Sequence, residues 1–217
     1  MTDWEERARA AEARFEDGAA RLPTDGDERQ RQLTRMGNAA WAAGLSRLML
    51  GRREAARKWL VRAAETYRES WPEAPPGSWG RPIGALKSHL IAGDLDGARE
   101  DARWALDAGA AEAESPIGRY AAAIAQLALG ADDDAAALAG TLQGTESVPP
   151  AVTDSLVALA AGDAAAYEAA IRALVADFEA RDAFLEDTPV ADTVLALQAL
   201  AAERWIVIAL DSPVLPA

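Results

Sequence analysis

The 217-residue chain contains no cysteine, and His89 is its single histidine. Without cysteine there is no disulfide, no thiolate metal ligand and no thiol nucleophile. A lone imidazole also excludes a histidine-rich metal site. No glycine-rich phosphate loop lies between a strand pattern and a helix pattern. These absences favour a protein without catalytic residues, metal or cofactor.

Long apolar runs are absent as well. No stretch approaches the roughly 18 apolar residues that cross a bilayer, so we expect no membrane association. Residues 1–18 are too charged for a signal peptide, which favours a cytoplasmic protein. Strand-forming residues are sparse before Trp205, whereas alanine, a strong helix former, is abundant. The composition therefore predicts an all-helical fold.

Positive charge is scarce. The formal net charge is −13, and Lys58 and Lys87 are the only lysines. Because phosphate binding requires a basic stripe and none is visible, we expect no nucleic-acid binding. Two interpretations of the acidic composition remain open. The surface could capture a basic partner, or it could reflect solubility and adaptation to high salt, which the low lysine content favours.

Four glycines mark an internal repeat. Gly51, Gly93, Gly130 and Gly162 each follow an apolar helical run, at spacings of 42, 37 and 32 residues. Small residues recur at fixed offsets from them, with Ala56, Ala98 and Ala135 five positions later and Gly44, Ala123 and Ser155 seven positions earlier. Small side chains allow paired helices to approach closely. Repeats of this length indicate stacked antiparallel helical hairpins.

This pattern resembles the tetratricopeptide repeat, most closely over Gly93–Ala105. Leu86 and Tyr167 depart from it, since the family prefers small residues at both positions. The resemblance implies a solenoid of helical hairpins. In such a solenoid the first helices line a groove that binds a peptide or a protein.

A second resemblance concerns the C-terminal region. Residues 210–216, preceded by Arg181-Asp182 and a helix beginning near Pro189, resemble a family of immunity proteins that protect bacteria from secreted polymorphic toxins. That resemblance implies a cytoplasmic, all-helical inhibitor that binds a toxin directly. An acidic surface would suit a basic toxin.

We expect one domain over residues 1–217. It comprises an N-terminal helix (1–27), four helical hairpins (28–187), a capping helix (188–204) and an extended tail (205–217). Thr188-Pro189 has the pattern of a helix start, and the helix after it should cover the end of the fourth hairpin. Residues 205–210 are β-prone and apolar. We expect them to pack as an extended cap, with helix continuation and pairing across a dimer as alternatives, so the protein is a monomer or a homodimer.

Candidate binding residues follow from the groove hypothesis. Cations and aromatic residues are scarce on the first helices, and the candidates there are Trp41, Arg47, Lys87, His89, Arg119 and Tyr120. Trp79, together with Trp71, could form a binding lip in the proline-rich connection 71–82. The alternatives are that Trp41 and Tyr120 belong to the core, that the cations are merely solvated, and that the two indoles seal the connection.

A hypothesis from a different class makes the protein an acid–base enzyme. In it, His89 works with an Asp or Glu of the segment 182–187. This hypothesis predicts that His89 lines a deep pocket with a carboxylate within hydrogen-bond reach. Aspartates 94, 96 and 132–134 could form metal sites, but their positions at predicted helix starts explain them without a metal.

Overall fold

A computed structural model describes residues 3–217 and is all-helical, with no strand in that range. Its helices are α1 (Trp4–Ala20), α2 (Gly26–Met49), α3 (Arg53–Glu69), α4 (Gly80–Ala92), α5 (Leu95–Asp107), α6 (Pro116–Leu129), α7 (Asp132–Gly140), α8 (Pro150–Ala160), α9 (Ala164–Glu179) and α10 (Asp192–Ala202), with a short 3-10 turn at Leu185–Asp187. None of the helices described is both long and apolar enough to cross a membrane.

The four predicted turns are confirmed. Gly51, Gly93, Gly130 and Gly162 separate α2 from α3, α4 from α5, α6 from α7 and α8 from α9, and all have positive φ. Glycine adopts this left-handed conformation without the steric cost that a Cβ imposes. Directly after Gly93 and Gly162, the side chains of Asp94 and Asp163 cap α5 and α9. Ser115 caps α6, the first helix of its hairpin. Local sequence signals therefore fix where each hairpin bends.

Consecutive helices from α1 to α9 pack against one another, as expected for a stack of hairpins. The small residues lie at these contacts. Ala56, Ala98 and Ala135 are buried. A Cβ added to Gly44 would lie 2.7 Å from Leu60 Cγ and 3.1 Å from the Leu60 backbone nitrogen. Close approach of α2 and α3 therefore depends on the missing side chain at Gly44.

Alanine substitutions at two helical glycines should have opposite effects. In Gly44→Ala the Cβ meets Leu60, and an overpacking cost of about 2 kcal/mol outweighs about 1 kcal/mol of improved helix propensity. Gly140, at the end of α7, has nothing within 4 Å of an added Cβ, so Gly140→Ala should stabilise the protein by about 0.5 kcal/mol. Urea denaturation measures both changes. Equal shifts in the two variants would contradict the close contact at Gly44.

The path of α10 differs from the prediction. Thr188-Pro189 does not start the helix, since α10 begins at Asp192 and the Thr188 hydroxyl bonds the Glu186 carbonyl at 3.2 Å. The helix packs mainly against α4, less against α8, and only slightly against α9. It therefore lies mainly on the inner face of the stack, formed by α4, α6 and α8, and covers the fourth hairpin only in part, through α8 and a slight contact with α9. Burial of Val194, Leu197 and Leu200 accounts for this position.

The C-terminal tail packs as an extended cap. Val214 O accepts a hydrogen bond from Ala191 N at 2.9 Å, and Gln198 Nε2 donates to Ile208 O at 2.7 Å. The Ser212 hydroxyl bonds Glu179 Oε1 on α9 at 2.6 Å. Trp205 has a φ of 59°, which is outside the α-helical region, so the helix cannot continue through this residue. The alternative that the helix continues through the tail is therefore wrong.

Candidate functional site

The Lys87 side chain binds residues of α10. Its ammonium group pairs with the Asp192 carboxylate and donates to Thr193 Oγ1 at 2.8 Å. Both acceptors lie in the first turn of α10, and the Lys87 side chain is nearly buried. The structure therefore places Lys87 on the inner face, as predicted, but with an intramolecular partner.

Two tyrosines make further contacts with α10. Tyr120 of α6 is hydrogen-bonded to Thr193, and burial together with the negative charge of Asp192 raises the pKa of its hydroxyl. The Tyr167 hydroxyl donates to Gln198 Oε1 at 3.0 Å, and burial raises its pKa. Tyr167 is therefore a neutral donor to α10, and burial disfavours ionisation of the Tyr120 hydroxyl. The inner face, expected to be an open groove, is filled by α10.

Trp41 and Arg47 are also engaged within the protein. Trp41 is 5% exposed and belongs to the core, so it presents no indole to a groove. Arg47 bonds both carboxylate oxygens of Glu12, at 2.8 and 3.0 Å, and Glu5 at 3.1 Å. These acceptors lie on α1, so Arg47 fastens α1 to α2. The expectation that the two side chains line an open groove is corrected on both counts.

Trp79 seals the long connection between α3 and α4. Its ring centroid lies 5.7 Å from that of Trp71, which in turn lies 5.6 Å from that of Trp104. A Cβ on Gly118 would lie 2.8 Å from Trp79 Nε1, so α6 closes over this indole. The structure thus shows the sealing alternative and not an exposed lip.

The adjacent Arg119 is half-buried, and its Nε has no hydrogen-bond partner among the residues described.

His89 lies in a buried polar cluster between helices. Its Nδ1 is 2.7 Å from Asp101 Oδ2, and Arg68 Nε donates to Asp101 Oδ1 at 3.1 Å. Asp101 is fully buried, and Gly97 packs against the imidazole ring. The cluster therefore joins α3, α4 and α5. Sequence reasoning missed Asp101, although it lies only 12 residues after His89, on the second helix of the same hairpin.

The acidic segment expected to serve His89 lies elsewhere. Arg14 of α1 bonds Glu186 Oε2 at 3.1 Å, and Arg7 donates to the Asp187 carbonyl. The segment 182–187 therefore packs on the N-terminal helix. The carboxylate that contacts His89 comes from α5, which corrects the pairing proposed from sequence.

One apolar surface remains open at the end of the stack. The terminal face is the outer groove between α8 and α9, a cavity of about 750 Å³. It is lined by Pro150, Ala151, Asp154, Val157, Ala158, Ala161, Asp163, Ala166, Ala169, Ala170, Ala173 and Asp177. Asp154 and Asp177 form no ion pair within residues 3–217. The sequence predicted α10 at this end of the stack, and its absence leaves the groove uncovered.

A second groove, of about 700 Å³, lies between α1 and α3. Phe15 and Trp59 form its apolar floor, with ring centroids 5.5 Å apart. Its rim carries three acids and three cations, Glu16, Glu54, Glu65, Arg57, Lys58 and Arg62. This mixture gives no preference for the charge of a ligand, whereas the ionisable residues of the terminal face are all acidic. His89 lines neither groove.

The comparisons assign no family to the chain. Family models, curated proteins and solved structures were each compared with it, and no significant match was found. Among the geometric features above, the terminal face is the open surface with a defined shape and charge.

Proposed function

We propose that this protein is a non-enzymatic helical-repeat protein that binds a partner protein through the terminal face. The partner contributes a basic amphipathic helix, which lies in the groove between α8 and α9. The observation that carries the proposal is the uncovered groove itself, which combines an alanine floor with an aspartate rim.

The shape of the groove follows from the repeat. Within the stack, the second helix of each hairpin packs against the first helix of the next: α3 against α4, α5 against α6, and α7 against α8. No such helix follows α9, because α10 turns to the inner face. Ala166, Ala169 and Ala173 would let a further helix approach to an interaxial distance of roughly 8–10 Å. An added helix would thus extend the packing already present in the stack.

The charge of the groove sets the chemistry of the partner. Asp154, Asp163 and Asp177 border the alanine floor, in a chain whose net charge is −13. A helix with a stripe of small apolar residues flanked by arginine or lysine complements both features. Long-range attraction would also speed its association at low ionic strength. A basic toxin presenting such a helix would be one partner of this class, in line with the resemblance to immunity proteins.

Binding of a basic peptide should depend on Ala169. The probe is an amphipathic helical peptide with an alanine and leucine stripe flanked by arginines, and fluorescence anisotropy measures its affinity. Ala169→Arg places bulk and positive charge in the groove and should weaken binding at least tenfold, or about 1.4 kcal/mol. Ala164→Arg is the matched control, since Ala164 is exposed on α9, outside the groove and on the opposite side of the helix from Ala173.

Three further results would support or oppose the proposal. Raising the salt concentration should weaken binding to the unsubstituted protein, because the rim charges become screened. An acidic peptide with the same apolar stripe should bind far more weakly than the basic one. Equal affinity of the two arginine variants for the basic peptide would refute docking in the terminal face.

A further inference from the structure

The tail carries a further open surface, which is not a groove but an exposed stretch of extended chain. We call residues 205–210 the tail edge. Trp205 is 94% exposed and Val207 84% exposed, whereas Ile206 between them is buried. The alternation continues through half-buried Ile208, exposed Ala209 and half-buried Leu210. From Ile206 onward a period of two is that of an extended strand with one face on the protein and one in water, and Trp205, with its φ of 59°, forms the turn that leads into it.

On the side of the tail edge that faces away from α10, most backbone N–H and C=O groups have no hydrogen-bond partner among the residues described. Ile208 O accepts a hydrogen bond from Gln198 Nε2, so the backbone carbonyl of residue 208 points toward α10. In an extended chain residues 207 and 209 present the opposite edge. Their N–H groups, and the carbonyls of Trp205 and Val207, have no hydrogen-bond partner within residues 3–217, whereas Ala209 O on the same edge accepts from Arg172 of α9 at 3.4 Å. Such an edge is a template for another strand.

We propose that two copies of this chain form a dimer in which their tail edges pair antiparallel about a twofold axis at Val207. In this register Val207 lies opposite its own copy, and Trp205 lies opposite Ala209, so a large side chain meets a small one. The N–H of Val207 bonds the Val207 carbonyl of the other copy, and the N–H of Ala209 bonds the Trp205 carbonyl. Twofold symmetry doubles each contact, which gives four hydrogen bonds.

Several features identify a second copy as the occupant. The tail edge contains no charged residue, so it offers nothing to a partner selected by charge. Moving the axis to Ala209 would place Asp211 opposite Val207, whereas the axis at Val207 pairs apolar residues throughout. Burial of the exposed side chains removes on the order of 800 Å² in total, which is the size of a weak, reversible interface. The proposal is independent of the proposed function, which uses a different surface.

Sedimentation velocity on the full chain, from micromolar to submillimolar concentration, tests the dimer. We expect monomer at the low end and dimer at the high end. Because two copies of charge −13 repel each other, added salt should favour the dimer. Salt should weaken binding of the basic peptide to the terminal face, so failure of one proposal is distinguishable from failure of the other.

Two variants make the test specific. Trp205→Gly removes the indole at a position with φ 59°, which glycine adopts without cost, so the fold is preserved. Val207→Pro removes the N–H at the axis. Each should raise the dimer dissociation constant at least tenfold, while Leu185→Ala, at an exposed apolar residue outside the tail edge, should not. A monomer at every concentration, or a dimer indifferent to both variants, would overturn the proposal.

Discussion

Replacing Leu197 with alanine should lower the free energy of unfolding by about 3 kcal/mol. Leu197 is 1% exposed on α10, which packs against α4 and α8. The substitution removes three buried carbon atoms and leaves a cavity that the surrounding helices fill only in part. In a domain of this size the melting temperature should fall by about 6–12 °C. Urea denaturation and thermal scans followed by circular dichroism measure both quantities.

Leu185→Ala is the control for Leu197→Ala. It deletes the same atoms from a side chain that is 53% exposed, and its cost should stay within about 0.5 kcal/mol. The contrast tests the burial of the Leu197 face of α10. Comparable losses in the two variants would contradict the packing of that face in the core.

Asp101→Ala should cost about 2–3 kcal/mol. The fully buried carboxylate accepts hydrogen bonds from Arg68 and contacts His89, so its removal leaves the buried imidazole without a partner. Arg68 is partly exposed and regains water, which keeps the loss below that of a fully buried ion pair. Asp101→Asn retains one oxygen acceptor and should lose less. Unfolding free energies from urea denaturation provide the comparison.

The neighbouring Glu100 supplies the control for Asp101. It is exposed in the same helix and forms no ion pair within the residues described, so Glu100→Ala should change stability by less than about 0.5 kcal/mol. If Asp101→Ala were as mild as Glu100→Ala, the cluster of Arg68, His89 and Asp101 would not join the three helices as the geometry indicates.

Local features of the fold were predictable from sequence. The glycine turns and the alanines at helix contacts depend on neighbours within a few residues, and each appears where it was expected. Thr188-Pro189 shows the limit of this reasoning. The pair has the composition of a helix start, but the backbone stays non-helical until Asp192. Tertiary contacts of the tail, including Ala191 N to Val214 O, decide that boundary.

The surface against which α10 packs was not predictable in the same way. The spacing of Val194, Leu197 and Leu200 shows that one face must be buried, but it does not distinguish the inner face of the stack from its end. Lys87 and Asp192 meet across more than 100 residues of chain, and no short-range pattern links them. His89 and Asp101 are different, because they lie on the two helices of one hairpin, and those helices pack against each other. That contact could have been deduced.

The position of α10 also has a consequence for how the protein folds. In a linear repeat array each unit touches only its neighbours, and the ends can melt while the middle persists. Here the contact between Lys87 and Thr193 spans 106 positions, and α10 packs against α4 and α8, which belong to non-adjacent hairpins. Unfolding should accordingly be a single cooperative transition. During translation, the native structure cannot be completed until α10 has emerged from the ribosome. Until then the inner surface of the earlier hairpins stays exposed to solvent.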